Sequence, residues 1–107
     1  MKIKQTDQFL KEIRKFPIEA REDIFKIVSD YVSGKRLAPK QFKTFKLDKN
    51  TKILEFKVKD RKGNWRAISF ILEKETLYFV YAFHKKSQAL MEKDKDTIIK
   101  RIKRIRT

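Results

Sequence analysis

The sequence predicts an α+β fold: an N-terminal helical hairpin packed on a small antiparallel sheet, with a C-terminal helix. Three changes of pattern along the chain predict it. Apolar residues recur at helical spacing as far as Val32, nearly alternate with polar ones from Phe42 onward, and return to helical spacing after Asp94. A chain of 107 residues has room for one core, so residues 1–107 are predicted to form a single domain.

A short strand and two helices are predicted in the first third of the chain. Residues 2–5 can form the strand, and Thr6 or Asp7 can cap the first helix. Pro17 suits the start of the second helix, and Gly34 is its predicted stop. The apolar positions of the two helices are Phe9, Leu10, Ile13, Phe16, Ile24, Ile27, Val28, Tyr31 and Val32. Each helix therefore carries an apolar stripe, as expected of a hairpin that covers a sheet.

Strands are predicted in the middle of the chain. From residue 54 to residue 59 apolar and charged residues alternate, which is typical of a half-buried strand. A polar loop at residues 60–64 follows, in which Gly63 suits a positive φ. Residues 65–72 and 77–83 are apolar on both faces and are joined by a polar turn. These two segments are predicted to be central strands of an antiparallel sheet.

The C-terminal segment is predicted to be an amphipathic helix with a basic end. Asp94 and Asp96 favour the helix start, and residues 100–106 carry five positive charges near the helix end. A narrow apolar stripe is formed by Ile98, Ile99, Ile102 and Ile105. The basic side of this helix is either a solvated face or a surface that contacts phosphates or a partner.

The charge balance points to a polyanionic partner. The chain has 29 Lys and Arg against 14 Asp and Glu, a formal net charge of +15. Such a charge favours nucleic acid through counterion release, with an acidic protein or an anionic membrane surface as alternatives. With no Cys and one His, neither a thiolate metal site nor a zinc centre is expected, and no metal or small-molecule cofactor is predicted. No signal peptide or apolar run of membrane-spanning length is present, so we expect a cytoplasmic protein that does not enter the membrane.

The residues available for chemistry are mainly lysine and arginine, with His84 and Glu55 in addition. Cleavage of RNA by its own 2′-hydroxyl suits this set, because it needs a proton acceptor, cations around the phosphorane and a donor to the leaving oxygen. Lys57 and Lys59 share one strand face, and Arg66 opens the next strand across the hairpin, so all three can converge on one phosphate. The alternative is that Lys57 and Lys59 are ordinary exposed strand lysines.

Two segments carry a resemblance to a known family. Residues 54–67 contain the pair Trp65-Arg66 after a hairpin, and residues 81–88 end a hydrophobic strand with the basic pair Lys85-Lys86. In this order and spacing they resemble the core of the RelE/HigB toxin superfamily of bacterial type II toxin–antitoxin modules. The preceding helical hairpin agrees with that order.

The resemblance implies a RelE-like microbial RNase fold and an mRNA endonuclease (an mRNA interferase) that acts in the ribosomal decoding site. It also implies a cognate antitoxin protein that covers and neutralises the toxin, so the expected partners are the antitoxin, mRNA and the ribosome with its rRNA. Carried over by position, Arg66 would stabilise phosphate charge and Lys57 or Lys59 would act as base or electrostatic stabiliser. Lys86 would hold the phosphate or the leaving group.

His84 is a further candidate for acid–base chemistry, because an unperturbed imidazole titrates near neutrality. Strand alternation groups it with Tyr78, Val80 and Ala82, and the alternative is a structural role at the strand end. The predicted RNA-gripping residues outside the catalytic group are Lys46, Arg61, Lys85, Lys100, Arg101 and Arg104.

The sequence departs from the family pattern at its C-terminal end. Several family members place a Tyr near the C-terminus for acid–base work, whereas this chain has no Tyr after Tyr81. The general acid is therefore unassigned. Two alternative functions follow: a ParE-like toxin that inhibits DNA gyrase by binding without catalysis, and a plain nucleic-acid-binding module in which the strand lysines need not converge.

Overall fold

The computed structural model describes residues 1–85 and 91–106 and has the predicted α+β architecture. The elements in chain order are β1 Lys2–Gln5, α1 Asp7–Ile13, α2 Ile18–Val32, β2 Phe42–Asp48, β3 Thr51–Asp60, β4 Gly63–Leu72, β5 Thr76–Lys85 and α3 Glu92–Arg106. The sheet has five strands in the order β1-β5-β4-β3-β2. Strands β2 to β5 form the predicted antiparallel meander, whereas β1 pairs parallel with β5. The sheet is therefore mixed, because α1 and α2 separate β1 from the meander and β1 lies along the outer edge of β5.

The two N-terminal helices begin and end at the predicted signals. Thr6 caps α1, where its hydroxyl accepts a hydrogen bond from the Phe9 amide at 3.0 Å. Pro17 is the N-cap of α2, with a φ of −53° that suits a helix start. Gly34 follows α2 with a φ of +85°, a left-handed conformation that favours glycine.

Apolar layers cover both faces of the sheet. On the face toward α1 and α2, here called the hairpin face, Phe9 and Ile24 pack with Phe56. On the face toward α3, here called the α3 face, Ile98 and Ile102 lie in a second cluster; its sheet residues are Ile53, Ile68, Phe70 and Val80. Fully burying one such side chain stabilises the fold by roughly 1.5–3 kcal/mol, so both layers contribute.

A β-bulge in β5 changes which residues face each layer. Ile68 pairs with Tyr81 and Ser69 with Phe79, which leaves Val80 as the extra residue. One extra residue reverses the alternation beyond it. Ala82 therefore belongs to the hairpin face, whereas Tyr78 and Val80 belong to the α3 face. His84 pairs with Trp65 and lies on the hairpin face, so the predicted grouping of His84 with Tyr78 and Val80 is wrong.

Helix α3 is tied to the rest of the fold by polar contacts. Arg101 donates hydrogen bonds to both carboxylate oxygens of Glu12 and to the Val80 carbonyl, each at 2.8 Å. The Tyr81 hydroxyl donates to the Asp94 carboxylate at 2.8 Å near the helix start. Within the described part of the chain, none of the helices combines the length and apolar character of a membrane span.

Replacing Gly63 by Ala is expected to destabilise the fold more than replacing Gly34. Gly63 has a φ of +144°, and an added Cβ would lie 1.9 Å from the His84 Nε2. Gly34 also has a positive φ, but an added Cβ would meet nothing within 4 Å. We expect Gly34→Ala to cost about 1–2 kcal/mol and Gly63→Ala to cost distinctly more, measured by urea unfolding. Equal losses in the two variants would show that the His84 contact is not limiting.

Candidate active site

An open cleft of about 640 Å³ lies along the end of β3. The β2–β3 pairing stops at Phe42 and Phe56, and the chain before β2 adds one bond, from the Lys57 amide to the Gln41 carbonyl at 2.9 Å. The uncovered edge of β3 therefore borders a depression that α2 lines on one side and the side chains of Lys57, Lys59 and Arg66 line on the other. Charged residues on both sides line it: Lys40, Lys57, Lys59 and Arg66 with Asp23, Lys26 and Asp30.

The cleft brings together three of the predicted catalytic residues, Lys57, Lys59 and Arg66. Lys57 and Arg66 are directly paired across β3 and β4, so their side chains leave the sheet on the same face. Lys59 lies two residues further along β3 and is exposed, whereas Lys57 is half-buried. One anion in the cleft could therefore contact cations that are buried to different depths.

Arg66 is held against a buried carboxylate. Its Nε lies 3.4 Å from the Glu55 Oε2, and the two side chains are only 7% and 4% exposed. Within the described residues, neither of these two atoms makes a hydrogen bond, although both are enclosed. Burial lowers the pKa of Arg66, and the Glu55 charge opposes that shift.

Two lysines of this region have lowered pKa values. Burial is the main cause of the lowered pKa of Lys57; Arg66 and Lys43 lower it further, and Glu55 opposes the shift. The pKa of Lys85 is lowered by burial in the same way, again against the charge of Glu55. A lysine with a lowered pKa is nearer to the neutral form that can accept a proton.

Sequence reasoning gave too little weight to Glu55 and Lys85. The sequence indicates no specific role for Glu55 and predicts that Lys85 binds RNA, yet both side chains are buried near Arg66. The alternation of β3 carried part of the signal, since it places Glu55 on the same face as Lys57. The position of Lys85 depends on the β5 bulge, which the sequence does not reveal.

Comparison with protein families identifies the chain. The family model described as phage derived protein Gp49-like (DUF891) matches residues 11–103. The chain belongs to the Gp49-like family.

This Gp49-like chain also shares its fold with a toxin of known structure. A double arginine-to-alanine mutant of the E. coli toxin RelE, solved in the free state, is similar with a TM-score of 0.59 and 18% identity. The similarity covers 97% of this chain and 96% of that one. No curated protein matches the chain. The shared fold confirms the RelE-like fold that the resemblance in the sequence implied.

His84 does not line the cleft of the Gp49-like chain. Its ring stacks on Trp65 with centroids 4.3 Å apart, and its Nε2 lies 3.1 Å from the Lys62 carbonyl oxygen. It borders instead a smaller cavity of about 500 Å³, where the end of β5 faces the start of α3. Acid–base catalysis by His84 stays a prediction, and its position favours the structural alternative.

The other predicted residues are spread over the molecule. Lys86 lies outside the described residues. Lys46 and Arg61 are exposed at opposite ends of the sheet's hairpins, and Lys100 and Arg104 are exposed on α3. The Arg101 guanidinium forms an ion pair with Glu12, a contact that stabilises the fold. The residues that line the cleft do not include Lys46, Arg61, Lys85, Lys100, Arg101 or Arg104.

Among the described residues that line the cleft, none is a tyrosine or a histidine that could serve as the general acid. Tyr81 is bound to Asp94 and packs on Phe83, and burial and Asp94 raise its pKa. It lies in the smaller cavity and not among the cleft residues. Among residues 1–85 and 91–106, no three carboxylate or imidazole side chains are grouped as metal ligands.

Replacing Lys57 by Met is expected to stabilise the fold at neutral pH. Since the folded-state pKa lies below the ordinary 10.5, folding opposes the charge of Lys57. This cost is fully present below the folded-state pKa and disappears as the pH rises to 10.5. The stability gain of Lys57→Met should therefore shrink over that window, as measured by urea unfolding. Lys52→Met removes an exposed lysine of the same strand and serves as the control; an equal gain there would contradict the assignment.

Proposed function

We propose that this Gp49-like chain is the toxin of a type II toxin–antitoxin system and cleaves ribosome-bound mRNA without a metal. The observation that carries the proposal is the convergence of Lys57, Lys59 and Arg66 on one open cleft. The lowered pKa of Lys57 supports it, because this side chain is suited to accept a proton. The RelE-like fold supports it further, since the similar solved structure is of a protein described as a toxin.

The cleft supplies most of what 2′-hydroxyl attack requires. Neutral Lys57 would accept the 2′-hydroxyl proton while the oxygen attacks the phosphorus. Arg66 and Lys59 would stabilise the charge on the phosphorane oxygens. The bond to the 5′-oxygen then breaks, which yields a 2′,3′-cyclic phosphate and a 5′-hydroxyl. The proton for the leaving oxygen is the remaining requirement, and the resemblance assigns contact with that group to Lys86.

The charge of the whole molecule fits a target rich in phosphate. A net charge of +15 raises association rates with RNA and makes binding strongly dependent on salt. Lys46, Arg61, Lys100 and Arg104 are exposed cations outside the cleft. In this proposal they contact rRNA, and the ribosomal target makes the cytoplasm the proposed place of action. The same charge makes an acidic antitoxin segment the expected inhibitor, because it would compensate self-repulsion.

Replacing Arg66 by Ala tests the proposed function. Induced expression of the wild-type chain in a bacterial host, with 5′-end mapping of a reporter mRNA, should give codon-phased cuts. Arg66→Ala should lose about 10²–10³-fold in cleavage, whereas Arg14→Ala, an exposed arginine on the hairpin side, should cut normally. Circular dichroism of both variants checks folding. Growth arrest with intact mRNA would favour ParE-like gyrase inhibition, and no arrest would leave a binding module.

Replacing Lys57 by Arg separates a base from an electrostatic stabiliser. Arginine keeps the positive charge but stays protonated, so RNA binding should be retained while cleavage falls about 10²–10⁴-fold. Lys59→Arg, two residues along the same strand, should keep most of its activity, because Lys59 acts through charge alone in this proposal. Single-turnover cleavage and anisotropy binding measure the two effects. Full cleavage by Lys57→Arg would assign Lys57 an electrostatic role.

A further inference from the structure

Glu55 is the acidic centre of a cluster of cations on the α3 face. It is 3% exposed, and its register partners are Lys43 on β2 and Ile68 on β4. Its charge acts on Lys57 of the same strand, on Arg66 of β4 and on Lys85 of β5. One carboxylate therefore faces cations from all four strands of the meander.

The contact between Glu55 and Arg66 differs from the ion pair that holds the fold together. Arg101 and Glu12 meet through two hydrogen bonds of 2.8 Å, the close geometry expected of a stabilising pair. Glu55 and Arg66 are more deeply buried, yet the Nε–Oε2 distance is 3.4 Å and both atoms lack a hydrogen bond within the described residues. Buried charges that are paired so incompletely are costly to the fold and are typical of functional sites.

Arg66 connects the buried carboxylate with the cleft. Its side chain lines the cleft, and its Nε lies 3.4 Å from the Glu55 Oε2. Within the described residues, its terminal nitrogens make no hydrogen bond and are not among the enclosed polar atoms. A guanidinium anchored through Nε presents its terminal nitrogens as a fork, which matches the geometry of two phosphate oxygens.

We propose that Glu55 is a positioning residue of the cleft, which anchors Arg66 through Nε and sets the charge of Lys57 for RNA cleavage. This inference rests on the proposed function. Glu55 attracts the protonated form of Lys57, so it tunes how much of the base is neutral at a given pH. Because Glu55 also repels the phosphate, it weakens ground-state binding, so its favourable contribution to the cleavage rate is the orientation of Arg66.

The titration of Lys57 depends on charges from three strands of the meander, β2, β3 and β4. Lys43 on β2 and Arg66 on β4 lower the pKa of Lys57, and Glu55 raises it. Lys85 on β5 belongs to the same cluster and also feels Asp94 of α3. Asp23, Lys26 and Asp30 of α2 line the same cleft, but Glu55 is the carboxylate that raises the pKa of Lys57. Removing Glu55 must therefore lower that pKa further.

Glu55→Gln in the full chain tests the inference with three readouts. On the plateau of the pH–rate profile, where Lys57 is neutral in both proteins, single-turnover cleavage should fall at least about tenfold, because Arg66 loses its anchor. Binding of a non-cleavable 2′-O-methyl RNA should stay equal or tighten, because a negative charge has been removed. The pKa of Lys57, followed by lysine side-chain NMR, should fall, and the rising limb of the pH–rate profile should move to lower pH.

Glu12→Gln is the matched control, since it breaks the ion pair between Glu12 and Arg101 and lies outside the cleft. It should lower stability but leave the cleavage rate of the folded protein and the pKa of Lys57 unchanged. A purely structural role of Glu55 predicts that folded Glu55→Gln protein cleaves at the wild-type rate, and that result would overturn the inference.

Two further outcomes keep the test decisive. If Glu55→Gln does not fold, Glu55→Asp keeps the charge on a shorter side chain; it should slow cleavage while RNA affinity and the pKa of Lys57 are retained, and wild-type cleavage by it would overturn the inference. If the wild-type chain does not cleave RNA, the proposed function fails. In that case the inference fails as a statement about cleavage, whereas a lowered Lys57 pKa in Glu55→Gln would still support the charge coupling.

Discussion

The central strand β4 must be covered on both faces, and this requirement places most of the other elements. Trp65 and Ala67 lie under the helical hairpin, and Ile68 and Phe70 lie in the cluster that α3 completes. Both layers are closely packed around these side chains, which are buried or nearly so. Where the α3 layer ends, the same strand continues with Arg66, and the face changes from apolar packing to charge. The cleft is thus the end of one core layer.

This construction explains why the charged cluster is buried but not closed. The sheet backbone holds the Cα atoms of Glu55, Lys57, Arg66 and Lys85 at fixed spacings, so these residues cannot separate without breaking the sheet. The remaining freedom lies in side-chain torsions, which is where the long Glu55–Arg66 contact is found. A rigid scaffold under a set of incompletely paired charges is the preorganised arrangement that electrostatic catalysis requires.

Most of the fold could be predicted from the sequence because its signals are local. The caps at Thr6 and Gly34 and the alternation around Phe56 depend only on neighbours in the chain. The pairing of β1 with β5 and the bulge at Val80 depend on tertiary packing, so no local sequence pattern predicts them. The same division applies to the site: Lys57 and Arg66 follow from one hairpin, whereas the burial of Lys85 and the turning away of His84 follow from the bulge.

The bond between Arg101 and Glu12 has a consequence for the order in which the chain assembles, since it joins residues 89 positions apart. Ile53, Phe70 and Val80 lie in the cluster that α3 completes, so they lack this cover in any state in which α3 has not docked. Such a state exposes an apolar sheet surface, and exposed apolar sheets tend to associate. Docking of α3 therefore converts a state that is prone to association into a folded protein whose net charge of +15 opposes association.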